Sequence, residues 1–178
     1  WEYDKGPDIL LAALRRFGRE GIPFTLHVVG QQFRRQPAEF AQIKKCLAKL
    51  GALGAWGYRE NLDEYRQLLA ASHGVISTAR HDFQGLSTLE AVAAGCEPLV
   101  PDSLAYPEWF GRGGWRCSDD VESCAANLSA AMLRCARRVL AGELPRVPDV
   151  SSLSWGSMGE EYRALLAQCG GLTVQSSP

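Results

Sequence analysis

Two carboxylates, Asp82 and Glu90, lie with seven residues between them in the run His81-Asp82-Phe83-Gln84-Gly85-Leu86-Ser87-Thr88-Leu89-Glu90. A β-prone stretch, Val75-Ile76-Ser77, precedes the run, and a short helix over Ser87 to Ala94, closed by Gly95, follows it. A strand therefore ends, a loop carries one acid and a glycine, and a helix opens with the second acid in its first turn. That corner suits a nucleotide diphosphate carrying a sugar. Gly85 lets backbone approach a ligand closely, and the free N–H groups of a helix start favour an anionic diphosphate. Carboxylates accept well from pairs of hydroxyls, so one acid can hold a ribose and the other a transferred sugar. Blander readings stay open on spacing alone. Ser87-x-x-Glu90 is also a capping box, and Asp82 is also a turn former. Taken alone, the lysine of Asp4-Lys5-Gly6-Pro7 reads as a solvated surface residue.

The elements that must place these groups alternate along the chain. Ile9, Leu10, Ala13, Leu14 and Phe17 recur at helical spacing behind Pro7, which fits a first turn. Phe24 to Val29 form a short strand ending at Gly30, and a helix spans Ala38 to Leu50. A strand at Ala55 to Tyr58 leads to Asn61, a helix cap with Glu64 three residues on, and that helix runs to about Ala71. After the carboxylate segment come a strand at Pro98 to Val100 and a Pro/Gly-rich loop from Pro101 to Gly114. A long helix from about Asp119 to Ala141 follows, then a connector with Pro145 and Pro148. The last helix runs from Trp155 to Cys169, before a polar tail from Gly170. Such alternation with short connections predicts an α/β fold, a parallel sheet with helices on both faces. Ligands in such sheets bind at the carboxyl ends of strands, which draws attention to the loops after Gly30, Tyr58, Thr78 and Val100.

Composition narrows the partners. The 178 residues suit one domain, and a formal net charge of -1 makes no demand for nucleic acid or anionic membrane. Local arginine clusters (Arg15, Arg16, Arg19; Arg34, Arg35; Arg134, Arg137, Arg138) read as solvated faces. The six cysteines, Cys46, Cys96, Cys117, Cys124, Cys135 and Cys169, form no C-x-x-C pair, and His27, His73 and His81 show no metal spacing with them. Buried free thiols in a reducing, cytoplasmic compartment are expected. No signal peptide or membrane-length apolar run appears. The chain opens at Trp1 without an initiator methionine, inside sequence that looks structured, so a fragment is expected. A nicotinamide oxidoreductase half would need G-x-G-x-x-G after the first strand, and Gly30-Gln31-Gln32-Phe33 does not supply it.

The segment from Asp82 to Glu90 resembles the E-x7-E signature of the family 4 retaining glycosyltransferases, built from two Rossmann-like domains (GT-B). The resemblance implies that this chain is the C-terminal half, with residues 1–170 binding the nucleotide-sugar donor, a disordered tail at 171–178, and an N-terminal acceptor domain outside the chain. It places Glu90 on the donor ribose, Asp82 on the donor sugar, and Gly85, Leu86 and Ser87 beside the diphosphate. Asp82 departs from the family's glutamate, which bears on reach and sugar choice. Asp4-Lys5-Gly6-Pro7 resembles the family's basic loop, with Lys5 on the diphosphate; the family's arginine five residues earlier would fall before Trp1. Val28-Val29-Gly30 and Ala55-Trp56-Gly57-Tyr58 occupy two earlier strand ends, and Pro107-Glu108 matches a late loop.

A narrower set of runs, Trp1-Glu2-Tyr3-Asp4-Lys5, Trp56-Gly57-Tyr58, Ile76-Ser77-Thr78-Ala79-Arg80-His81, Leu89-Glu90-Ala91-Val92, Gly95-Cys96 and Tyr106-Pro107-Glu108, resembles the α-mannosyltransferases that act on queuosine in tRNA. The implied donor is GDP-mannose, with tRNA held through the other domain, no metal, no membrane, and hexosyl transfer lost from the isolated half. The competing expectations are a family 4 glycosyltransferase with another nucleotide-sugar and acceptor, and a non-catalytic nucleotide-sugar-binding module.

Overall fold

The computed structural model describes residues 2–116 and 118–170, so Trp1, Cys117 and the tail 171–178 lie outside the described residues. It divides into two units, one up to Pro148 and one from Asp149 onward. In the first, β1 (Leu26–Val29), β2 (Leu53–Gly57), β3 (Gly74–Ile76) and β4 (Glu97–Leu99) alternate with α1 (Pro7–Phe17), α2 (Ala38–Lys49), α3 (Leu62–Ala70), α4 (Leu86–Ala93), α5 (Tyr106–Phe110) and α6 (Val121–Leu140). The second unit contains a 3-10 turn at Ser151–Leu153 and α7 (Trp155–Gly170), along which the rings of Trp155 and Tyr162 lie 5.7 Å apart.

The strands are parallel and flanked by helices, as an α/β reading requires. They form two hydrogen-bonded pairs, β1 with β2 and β3 with β4, with no ladder joining the pairs among the described residues. The expected sheet thus exists as two short ribbons. Strands of only three to five residues give each ladder few rungs.

Apolar periodicity explains the helices. On α6 the buried residues Cys124, Ala125, Leu128, Ala131, Met132 and Cys135 make one continuous stripe, the pattern of a helix with a single core-facing side. It packs against α1, whose far flank meets α2. Ile9, Leu14, Phe17, Ile43, Leu47 and Leu128 share one cluster with Leu26, Val28, Ile76 and Leu99 from the strands. Burying each large aliphatic side chain stabilises the fold by about 1.5–3 kcal/mol. Side chains alternate along a strand, so with Ile76 in this cluster Ser77 faces the other way. On the other side α4 lies against β3 and β4, burying Ala91 and Val92.

Several helix ends follow the sequence closely. The Asn61 Oδ1 accepts from the N–H groups of Asp63 at 2.9 Å and Glu64 at 3.2 Å. Asp120 caps α6 by accepting from the Ser123 N–H at 2.7 Å. The stretch from Pro101 to Gly114 does not remain a loop, because α5 forms within it. Five residues with a proline at the second position carry too little periodicity to signal a helix.

The thiols are free at Cys46, Cys96, Cys124, Cys135 and Cys169; Cys96, Cys124 and Cys135 are buried, while Cys169 is exposed, against the expectation for the group. Burial pushes the Cys135 thiol up to about 11.

An irregularity between β1 and β2 gives His27 a structural job. The register slips between Leu26 and Val28, and the Ala55 N–H donates to His27 Nδ1 at 2.9 Å. That acceptor exists only on the neutral ring, and burial lowers the His27 pKa below 6.5. The unfolded chain then takes up a proton before the folded one does. The stabilisation is complete above 6.5 and is lost as the pH falls through the lower, folded value. Stability read from urea unfolding should fall between about pH 7.5 and about pH 5 by more for the wild type than for His27→Leu.

Candidate functional site

Two loops are locked together at the carboxyl end of β3. The 3-10 turn Tyr3–Lys5 ends at Gly6, whose φ of 59° is left-handed. A Cβ on Gly6 would sit 2.1 Å from the Thr78 carbonyl oxygen, so only glycine allows the backbones to approach this closely. Around that contact the Thr78 hydroxyl donates to the Lys5 carbonyl at 2.6 Å, and the Arg80 N–H donates to the Asp4 carbonyl at 2.7 Å. The Arg80 guanidinium grips both Asp8 oxygens, at 2.8 and 2.6 Å, and lies 4.8 Å from the centre of the Tyr3 ring. Its hydrogen bond holds the Asp8 carboxyl below the usual carboxylate range, against the opposing effect of burial.

This docking brings Lys5 Nζ to 3.4 Å from Asp82 Oδ2, the lysine side chain half exposed (50%) and the aspartate mostly covered (16%). Asp82 is further engaged. Its Oδ1 accepts from the Gly85 N–H at 3.1 Å, closing the turn, and its Oδ2 accepts from the Tyr106 hydroxyl at 3.0 Å. The turn-forming role open to Asp82 in the sequence is therefore present. Tyr106 is 1% exposed, and its hydroxyl also meets Ser77 Oγ at 2.7 Å. With the tyrosine proton given to the carboxylate, Ser77 is left as donor to the tyrosine oxygen, so every member is satisfied. Burial raises the Tyr106 pKa and keeps it a donor. The ring of Tyr106 also closes on Gly85, where a Cβ would come within 2.8 Å of Cε1 and φ is 63°.

Helix α4 starts one residue earlier than Ser87, with Gly85 as its N-cap and no capping side chain. Ser87 is thus inside the first turn and the Ser87-x-x-Glu90 capping box does not form. The first-turn N–H groups of Leu86 and Ser87 have no intrahelical acceptor, the usual anion-binding feature of a helix start. Glu90, freed from capping, is exposed and accepts from the Tyr65 hydroxyl of α3 at 3.0 Å.

Asp82 thus contacts both Lys5 and Gly85, Leu86 and Ser87 adjoin Gly85 in sequence, and Glu90 follows on the same helix. Gly30 and Tyr58 stand at the carboxyl end of the other strand pair. There the Gly30 N–H donates to the Gly57 carbonyl at 3.3 Å, and Tyr58 is exposed. Pro107 and Glu108 belong to α5, whose Trp109 Nε1 holds the Gln84 carbonyl at 3.1 Å. Tyr65 and Asp8 carried no sequence signal of their own, and Arg80 stood in the Ile76 to His81 run with no role assigned to it. Tyr106 did, as the residue before Pro107-Glu108, although not for the role it fills. Among the described residues no group of three or more His, Cys, Asp or Glu side chains is placed to hold a metal ion, and no helix is long and apolar enough to cross a membrane.

Parallel strands, a helix start with a lysine beside it and two spaced acids are what a nucleotide-sugar-binding α/β domain would need. Residues 1–134 match the family described as glycosyl transferases group 1, and the chain belongs to that family. Among individual proteins, it is similar to the tRNA-queuosine alpha-mannosyltransferase of Drosophila melanogaster, with 38% identity over 111 residues. That match takes in 62% of this chain and 28% of the relative, so the chain covers well under half of the relative's length.

Two glycines separate conformational cost from steric cost. Gly21 is left-handed with open space around it, whereas Gly6 is left-handed and in contact with Thr78. Gly21→Ala should lower stability by about 1 kcal/mol, and Gly6→Ala by at least about 2–3 kcal/mol, as read from urea unfolding.

Proposed function

We propose that this chain is the donor-binding part of a retaining hexosyltransferase that takes GDP-mannose and passes mannose to queuosine in tRNA. The observation that carries the reading is the corner itself. A lysine, unfilled first-turn N–H groups and two carboxylates line one loop-and-helix segment of a group 1 glycosyl transferase domain. The mannosyltransferase relative supports the choice of donor and acceptor, as do the runs shared with that narrower family. A separate domain would hold the acceptor, a reading the relative's greater length supports; this chain alone would then lack transfer activity, since catalysis needs both substrates positioned. Cytoplasmic residence goes with this reading, supported by the buried free thiols of Cys96, Cys124 and Cys135.

In the proposed mechanism Lys5 leaves Asp82 for the diphosphate, and with the Leu86 and Ser87 N–H groups it stabilises charge growing on the leaving group. No metal is invoked. Glu90 takes the ribose hydroxyls. Asp82, already holding the Gly85 N–H and the Tyr106 hydroxyl, has lone pairs left for one hexose hydroxyl. Gly30 and Tyr58 border the nucleotide from the other strand pair.

A second reading, a nucleotide-sugar-binding module without catalysis, is favoured by one observation. Both Asp82 oxygens are committed to holding the loop. Mannosyl transfer to tRNA by a longer form of the protein would dismiss it.

Calorimetry with GDP, UDP and ADP should rank GDP first, and a preference for UDP would remove the mannosyl reading. Glu90→Gln should lose about 1.5–3 kcal/mol of GDP binding, the usual worth of a charged hydrogen bond. Its melting temperature should hardly change, because Glu90 caps nothing. Unaltered GDP affinity in that variant would contradict the ribose assignment.

A further inference from the structure

Glu90 is an exposed glutamate on a helix surface, a side chain that ordinarily samples several rotamers. Here it is tied from a different element. Asn61 caps α3 and fixes its start, and half-buried Tyr65, in the first turn, reaches across to place its hydroxyl 3.0 Å from Glu90 Oε2. Among the described residues this is the one hydrogen-bond partner of the Glu90 carboxylate. We propose that Tyr65 is a positioning residue for nucleotide binding, holding Glu90 in the orientation in which its carboxylate accepts a vicinal diol. The proposal rests on the reading that Glu90 holds the donor ribose.

The geometry explains what the contact would do. A single hydrogen bond to Oε2 uses one acceptor direction of the carboxylate and leaves Oε1 and the remaining Oε2 direction for two hydroxyls. Pinning the side chain before the ligand arrives removes an ordering cost that binding would otherwise meet. The donor is dependable, because burial, together with Glu90 itself, pushes the Tyr65 hydroxyl up to about 12 and keeps it protonated. Tyr65 touches no ligand in this scheme; it acts through Glu90.

The test uses this chain, GDP, and 2′,3′-dideoxy-GDP, which lacks the diol. Tyr65→Phe keeps the ring and removes only the hydroxyl. It should weaken GDP binding about tenfold by the worth of a charge-assisted hydrogen bond, with dideoxy-GDP binding and melting temperature unchanged. Glu90→Gln should also cut GDP affinity selectively. The double variant should lose less than the sum of the two single losses, because both act through one contact. Equal losses for GDP and dideoxy-GDP in Tyr65→Phe would show a general structural role and overturn the proposal. So would unaltered GDP affinity in Tyr65→Phe alongside a selective loss in Glu90→Gln, an outcome that leaves the ribose reading intact. Unaltered affinity in Glu90→Gln itself would bring down the ribose reading, and this proposal with it.

Discussion

Gly6 and Thr78 meet backbone to backbone, and the approach of Lys5 to Asp82 follows from that meeting. Helix α1 is fixed from below, where Ile9, Leu14 and Phe17 sit in the core beside Leu128 of α6. Strand β3 is fixed by its ladder to β4. The turn leading into α1 and the loop leaving β3 therefore have little freedom in how they approach. The glycine allows contact, the Thr78 hydroxyl and Arg80 N–H satisfy the carbonyls it brings inward, and the Arg80–Asp8 fork resists shear between the loops. Core packing is thus transmitted to the position of Lys5. The burial of one face of α1 helps to decide where the cation stands.

The ion pair that results is asymmetric. Lys5 is half exposed on a flexible stem, whereas Asp82 is largely covered and held by two further donors, the Gly85 N–H and the Tyr106 hydroxyl. An exposed lysine–carboxylate contact at 3.4 Å contributes about 0–1 kcal/mol. An arriving diphosphate, with more charge, could take the lysine at small cost. Asp82 would not be stranded when that happened, since its neighbours already satisfy it. Tyr106 links this arrangement to the fold, its ring against Gly85 and its hydroxyl between Ser77 and Asp82.

Much of the scaffold was legible because it obeys local rules. The α1 and α6 stripes, the Asn61 cap and the strand–loop–helix shape of the acidic segment follow from periodicity and capping chemistry. What escaped depends on contacts between distant segments. Ser87 and Glu90 have capping-box spacing, yet Gly85 starts the helix early, and Glu90 turns to a tyrosine 25 residues away. Helix α5 is too short to show a period. Asp82 could be named from its place beside Gly85, but its bond to Tyr106 requires knowing that a later loop folds back. The role of His27 depended on a register slip that no single-strand pattern reveals.

A crystal structure of this chain grown with GDP-mannose is the most direct test of where the donor sits. In that structure the diphosphate should lie at the Leu86 and Ser87 N–H groups, with Lys5 Nζ moved from Asp82 onto a phosphate oxygen and the ribose on Glu90, the Tyr65 contact kept. A nucleotide seated elsewhere, with the Lys5–Asp82 pair still closed, would contradict this placement.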